Sequence, residues 1–292
     1  MDCITARVYK PTDVLMEGNI VGKLTVMRTT LLIPVYNQQE GLERTCASLS
    51  SDTDCHVVIV DDGSRPPVSL PPSLDPQRVT LLRLAENQGI TRALNHGLEW
   101  ILRNGYRYVA RLDAGDVMLA GRLTRQIEFL ESHPDYAIAG GQARFVDMQG
   151  RESFRDNFPT TDAAIRRAMH GRSCFIHPAV MLRVAMLRAV GPYDERYPSA
   201  EDFELFWRLM KTWKGANLAD PIVEYVLDPR GISLSKRSQQ VRSRIRILLA
   251  YFDPWAWESY AGLVKNLVLL AVPYRWVRWV KRRHIRSHRG WL

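Results

Sequence analysis

Residues Thr30 to Tyr36 (TLLIPVY) are apolar or β-prone with hardly a break, and so are His56 to Val60 (HVVIV). Short runs of this kind, rich in β-branched side chains, predict strands covered on both faces. Val79 to Leu84 and Tyr106 to Leu112 repeat the pattern. Between these runs the apolar positions recur at steps of three and four. Leu42, Cys46 and Leu49 do so within Gln39 to Ser50, and Ala93, Leu94, Leu98 and Ile101 within Ile90 to Leu102; Arg122 to Glu131 has helical spacing too. Such a stripe marks a helix with one face on a core. Five prolines between residues 65 and 76 mark a loop. Strand and helix thus alternate with short connections, which predicts an α/β fold with a mostly parallel sheet and helices on both faces.

The order changes after residue 134. Tyr136 to Val146 reads as one or two strands, with Gly140-Gly141 as a bend or bulge. Ile176 to Leu182 (IHPAVML) reads as a strand followed by a helical stretch to Val190, and Gly191 to Asp194 as a turn. From Ala200 to Trp213, Phe203, Phe206, Trp207 and Met210 recur at helical spacing, and Glu201-Asp202 stands at the helix start.

Composition narrows the class. The 292 residues are 46% hydrophobic and 24% charged, which excludes collagen-like, disordered and disulfide-scaffold chains. The net charge of +9 is uneven: residues 229–292 carry fourteen Lys/Arg against two acids, net +12, leaving −3 for residues 1–228. Four widely spaced cysteines, Cys3, Cys46, Cys55 and Cys174, form no C-x-x-C pair and are expected to be reduced thiols. Residues 1–28 lack the apolar core of a secretory signal and are expected to be a loose leader ahead of a fold that starts near Met27. The apolar stretch Leu267 to Val272 is far too short to span a bilayer.

Three polar clusters fall at predicted strand ends: Asn37, Asp61-Asp62 and Asp113 to Asp116. In a parallel sheet ligands bind beyond those ends, so the clusters converge on one rim. Each has a plainer reading. Asp61-Asp62-Gly63-Ser64 suits a turn, or an acceptor for a nucleobase N–H or ribose hydroxyls. Asp113 and Asp116 suit an N-capped turn, or a divalent cation that also holds phosphate oxygens. Glu201-Asp202 suits the positive end of a helix dipole, or a general base for a hydroxyl. His177 is either a structural histidine or a neutral metal or phosphate partner.

In chain order the motifs are Ile33-Pro34-Val35-Tyr36-Asn37, Val60-Asp61-Asp62-Gly63-Ser64, Asn87-Gln88-Gly89-Ile90 with Asn95, Arg111-Leu112-Asp113-Ala114-Gly115-Asp116, His177-Pro178 and Glu201-Asp202-Phe203. The ordered set closely resembles the family 2 glycosyltransferases of the GT-A fold, over about residues 29 to 228. The resemblance implies a GT-A, Rossmann-like catalytic domain over 29–228. It further implies that Pro34, Tyr36, Asn37 and Glu40 line the nucleotide pocket and that Asp61 and Asp62 contact uracil and ribose. Asn87, Gly89 and Asn95 match the segment around the nucleotide-sugar, Arg111 is placed to reach the diphosphate or donor sugar, and Glu201 joins the donor site. Asp202 matches the catalytic base of an inverting displacement. Asp113 matches the first acid of the D-x-D metal motif, but Gly115 stands where the second acid belongs, so Asp116 is the expected substitute. With His177 these form the candidate set for Mn²⁺ or Mg²⁺.

The processive members carry Q-x-x-R-W and transmembrane helices; neither is found here, so the resemblance implies transfer of one sugar. The expected donor is a nucleotide-sugar, UDP-linked first and dTDP-linked next. The expected acceptor is a glycan or a lipid-linked sugar, in the building of a bacterial surface polysaccharide. The segment 229–292 reads as a basic, aromatic, helical tail with Trp255, Trp257, Trp276, Trp279 and Trp291. Cations and indoles together suit an anionic membrane surface. That places the protein in the cytoplasm, peripherally on the inner face of the cell membrane. A sugar-phosphate nucleotidyltransferase is the second reading, disfavoured because Pro-Val-Tyr-Asn replaces a Gly-rich basic loop after the first strand. A non-enzymatic nucleic-acid binder is the third, disfavoured by the −3 body, so no nucleic acid is expected as partner.

Overall fold

The computed structural model describes residues 29–49, 55–154, 156–227 and 237–272. The expected leader 1–28, the boundary at residue 229 and Trp276, Trp279 and Trp291 lie outside them.

The first half is built as its pattern predicts: β1 (Thr29–Val35), α1 (Gln39–Ala47), β2 (His56–Asp61), β3 (Val79–Arg83), α2 (Ile90–Arg103) and β4 (Tyr108–Arg111). Strand β1 is buried along its whole length, which accounts for its unbroken apolar run. Its side chains alternate between two cores. Leu32 joins the cluster holding Val58, Val60 and α2's Ala93, Leu94, Leu98 and Ile101. Leu31, Ile33 and Val35 join the other, with Val57, Ile59 and α1's Leu42 and Cys46. A period of two along each strand therefore feeds two helix layers, one on each face.

The second half comprises β5 (Val117–Met118), α3 (Arg122–Ser132), β6 (Tyr136–Val146), β7 (Glu152–Phe154), α4 (Asp162–Met169), β8 (Met181–Arg183), α5 (Val184–Val190), α6 (Glu201–Thr212) and β9 (Lys214–Val226). Two helices follow, α7 (Arg237–Ala250) and α8 (Trp257–Ala271). Among the described residues the sheet runs β3-β2-β1-β4-β8-β6-β9-β5, with β7 on β6. The β3-β2-β1-β4 part is parallel. Beyond β4 the sheet is mixed: β8 is antiparallel to β4 and β6, while β6 and β9 are parallel.

One local reading is corrected, one strand had no reading, and one open reading is decided. Ile176 to Leu182 is not one strand: His177–Ala179 forms a 3-10 turn, because Pro178 cannot donate to a ladder, and β8 starts at Met181. Strand β9 carries too little alternation to be seen in the sequence, since its neighbours bury it unevenly. Tyr136–Val146 is one strand, with register shifts at Gly141 to Ala143 that supply the expected bulge.

Helix α7 packs on the body. Ile247 and Leu248 are buried in the first core cluster, Ser243 Oγ donates to the Pro198 carbonyl at 2.9 Å, and Tyr251 stacks on Trp207.

Candidate active site

The register of β2-β1-β4 sets Asp61 beside Val35, and Arg111 beside Leu32. The chain leaves these strands at one rim, where the three predicted polar clusters stand.

The acidic pair after β2 is turned inward. Asp61 is 1% exposed; its Oδ1 accepts the Ser64 N–H at 2.9 Å and its Oδ2 the Val68 N–H at 3.1 Å. Asp62 accepts from Gln88 N–H at 2.8 Å, Gly89 N–H at 2.9 Å and Asn87 Nδ2 at 2.9 Å. Burial raises the Asp62 pKa, and the Gln88 and Gly89 backbone N–H groups oppose the rise. The two carboxylates thus shape loops 62–68 and 86–89. Asn37, at φ 50°, donates its N–H to Ser64 Oγ and accepts Arg65 N–H on its side chain, joining the β1 and β2 ends. Tyr36 and Glu40 are exposed at this rim. Pro34 is buried inside β1, one residue before its end. Gly89, at φ 89°, starts α2 with open space where a side chain would be.

Asn95 is spent on one partner: its amide donates to the Tyr193 carbonyl and accepts the Tyr193 N–H, both at 2.9 Å. Its role is to fix the turn at Tyr193, and the Tyr193 hydroxyl lies 2.8 Å from His177 Nε2.

Arg111 is held by four acceptors. Its guanidinium is buried and donates to the Leu32 and Leu112 carbonyls at 2.9 and 3.1 Å, to His177 Nε2 at 3.3 Å and to Asp113 Oδ1 at 2.5 Å. Through Asp113 it is joined to the rim of the site. Because Arg111 Nε can only donate, His177 Nε2 must accept, which puts the imidazole proton on Nδ1. Burial, with Arg111 beside it, holds the His177 pKa well below its usual range, so the ring is neutral. In this structure the Nε2 lone pair is engaged by Arg111, with the Tyr193 hydroxyl beside it.

Asp113 is 37% exposed on its side chain, and only Oδ1 is paired with Arg111. Asp116 is different: 5% exposed, it turns Oδ1 to the Val226 N–H of β9 at 2.9 Å. Burial and then the Asp113 charge raise its pKa well above the carboxylate range. Asp116 therefore braces the turn against β9 while its carboxyl stays within electrostatic reach of Asp113. Thr45 of α1 holds the same turn, donating to the Asp116 carbonyl at 2.8 Å and accepting Gly115 N–H at 2.9 Å. Gly115 sits at φ +108° with Gln38 Nε2 3.1 Å from a would-be Cβ. That conformation explains the missing second acid, since a side chain there is strained. Gly115→Asp, which rebuilds the D-x-D spelling, is expected to cost about 1–3 kcal/mol. Thermal unfolding with and without Mn²⁺ should show a lower midpoint and no metal-dependent recovery.

Among the described residues no cluster of three or more His, Cys, Asp or Glu forms a ready-made metal centre. One half-exposed carboxylate remains, Asp113. That suits a hard cation which takes most of its oxygens from phosphates and water.

Glu201 and Asp202 open α6. Glu201 is 6% exposed, its Oε2 is buried with no hydrogen-bond partner, and burial plus the Asp202 charge push its pKa up to about 7. Asp202 is half-buried, and burial raises its pKa; the Phe203 N–H and the Arg244 charge oppose that, and Asp113 adds to it. Asp113, Glu201, Asp202 and Arg111 therefore act on one another within a single site. Arg244 comes from α7, and its Nε is buried without a hydrogen-bond partner. Sequence reasoning missed Thr45, Tyr193 and Arg244, which belong to no motif; only the acid-free basic run around Arg244 hinted that it had a partner.

The glycosyl transferase family 2 model matches residues 30–191. The amylovoran biosynthesis glycosyltransferase AmsE of Erwinia amylovora is 30% identical over 206 residues, 67% of this chain and 74% of that protein. S. aureus TarS 1-349 in complex with UDP-GlcNAc is 18% identical with a TM-score of 0.59, over 82% of this chain and 72% of TarS 1-349. The mannosyltransferase PcManGT from Pyrobaculum calidifontis, in complex with GDP-Man and Mn²⁺, is 18% identical with a TM-score of 0.58, over 85% and 71%. At these identities the two structures show a shared GT-A fold.

Proposed function

The chain belongs to glycosyl transferase family 2, and on that premise we propose that it moves one sugar from a nucleotide-sugar to an acceptor hydroxyl with inversion. The acceptor is a glycan or a lipid-linked sugar in surface-polysaccharide assembly, presented at the inner face of the cell membrane. The observation that carries this reading is the meeting of half-exposed Asp113 with buried Glu201 and half-buried Asp202 at the sheet rim. The similarity to AmsE supports the polysaccharide context. The donor complexes of the structural neighbours, UDP-GlcNAc in TarS and GDP-Man in PcManGT, support a nucleotide-sugar.

In the proposed displacement Asp202 takes the proton of the acceptor hydroxyl, whose oxygen forms a bond to the anomeric carbon. The bond from that carbon to the diphosphate oxygen breaks on the opposite face, and its electron pair leaves with the nucleoside diphosphate. Burial, which raises the Asp202 pKa, makes it a stronger base once ionised. Glu201, with its high pKa and orphaned oxygen, carries a proton at neutrality in part and so lowers the negative charge beside Asp202. Arg111 orients Asp113 and offsets its charge. A divalent cation bound at Asp113 would neutralise charge developing on the diphosphate.

The testing experiment is a donor screen. UDP-sugars are expected to show hydrolysis or thermal stabilisation first and dTDP-sugars next, with GDP-mannose as the competing candidate. Excess chelator is expected to suppress turnover and Mn²⁺ or Mg²⁺ to restore it. Full activity in chelator would remove the cation from the reading. Inversion is checked by NMR of the product's anomeric coupling.

A further inference from the structure

Helix α8 is inside out. The residues it buries against the body are Ser259, Gly262 and Asn266. Ser259 Oγ meets His170 Nδ1 at 2.9 Å, and the backbone at Gly262 lies so close to the His170 carbonyl that no Cβ fits. On the opposite side stand Trp257, Tyr260, Val264, Leu267 and Val268, between 49% and 71% exposed. At 100° per residue these five fall on one stripe, with Ala261 and Ala271 and no charged residue. Glu258 turns instead to Arg167, at the protein side. Trp255, 94% exposed, extends the patch ahead of the helix.

A contiguous apolar face of this kind marks an interaction site. Its occupant is set by charge and length. Residues 273–292, which follow the helix directly, hold seven Lys/Arg and no acid. A second copy of this chain would bring an equal positive charge to the same place, whereas an anionic lipid surface would neutralise it. Among the described residues no helix is long and apolar enough to cross a membrane, and fifteen residues of helix reach about 22 Å, short of a bilayer core. A helix with an apolar stripe, indoles at one end and a basic segment at the other lies in the interface plane. Two cations of α7 are engaged on the body: Arg246 donates to the Arg196 carbonyl, and Arg244 acts on Asp202.

We propose that the Trp257–Tyr260–Val264–Leu267–Val268 stripe of α8 is the surface that enters the headgroup layer of an anionic bilayer. The proposal rests on the reading of a membrane-presented acceptor and names the part of the chain that meets the lipid.

The test is flotation of the full chain with phosphatidylcholine vesicles, with and without phosphatidylglycerol. The double variant Val264→Glu/Leu267→Glu is compared with the native chain. Both side chains face solvent, so thermal unfolding and donor turnover without vesicles should match the native protein. The native chain is expected to float with the anionic vesicles and the variant to bind at least about tenfold more weakly. Equal binding by both overturns the proposal. So does native protein that sediments as a dimer which the variant dissolves, because a second copy then covers the stripe. A native chain that ignores vesicles, with a variant of lowered unfolding midpoint, also overturns it, because the stripe is then covered by the protein itself. If the native chain turns over no nucleotide-sugar yet floats through the stripe, the transferase reading fails and the lipid face stands.

Discussion

Asp202→Asn is expected to lower sugar transfer by about 10²–10⁴-fold, the range for losing a positioned general base. Donor affinity should stay within about twofold, because the change removes an interaction made as the acceptor proton moves. Asparagine is nearly isosteric and keeps the helix start, while burial and the Asp113 charge, which raise the Asp202 pKa, cease to matter for an amide. The base acts only when ionised, so turnover should rise with pH along an acid limb placed above the ordinary carboxylate range. Glu201→Gln mimics the protonated carboxyl and should leave that limb in place, because Glu201, pushed up to about 7 by burial and by ionised Asp202, is still protonated where Asp202 ionises. The measurements are single-turnover transfer against pH and donor titration by calorimetry. An Asp202→Asn enzyme with native turnover would end the assignment of Asp202.

The second large effect is on the framework. Arg111→Met should destabilise the protein by about 3 kcal/mol, the low end for breaking a buried pair because Asp113 is 37% exposed. The Leu32 and Leu112 carbonyls lose their donor, and Asp113 loses the cation that fixes its Oδ1. Removing Arg111 also relieves repulsion on Arg122, a fully buried arginine whose pKa burial and Arg111 push down to about 9. That relief is smaller than the loss, since Arg122 retains its bonds to Gln126 and to the residue 111 carbonyl. The unfolding midpoint should fall by about 6–10 °C, with transfer lost as Asp113 swings free. Arg111→Lys should recover little, because one ammonium cannot serve diverging acceptors as a planar fork does. A midpoint unchanged in Arg111→Met would show that these hydrogen bonds contribute nothing net.

Much of the first half was legible from residue order. β1 and β2 are buried on both faces, so their apolar runs carry a strong signal, and α2's stripe at Ala93, Leu94, Leu98 and Ile101 is the set that is buried. The second half was less legible. β9 lies partly at the surface and departs from alternation, and the 3-10 turn at His177 hides inside a β-like composition. At the site, sequence named the clusters but not the direction in which each carboxylate points.

Residue order alone determined an α/β chain, polar clusters at successive strand ends, resemblance to the family 2 glycosyltransferases, and a −3 body joined to a +12 end. Those properties follow from side-chain period, turn chemistry and charge count, which are local. The tertiary structure decided what each of those side chains touches. Asp61, Asp62, Asn95 and Asp116 are bound to neighbouring loops, Arg111 to Asp113, and His177 to Arg111 and Tyr193. It also divided the basic end, packing α7 on the body and turning the apolar stripe of α8 outward. Direction and burial depend on what approaches across the fold, over sequence separations near one hundred residues such as Asn95 to Tyr193 and Asp116 to Val226. No local pattern encodes that approach.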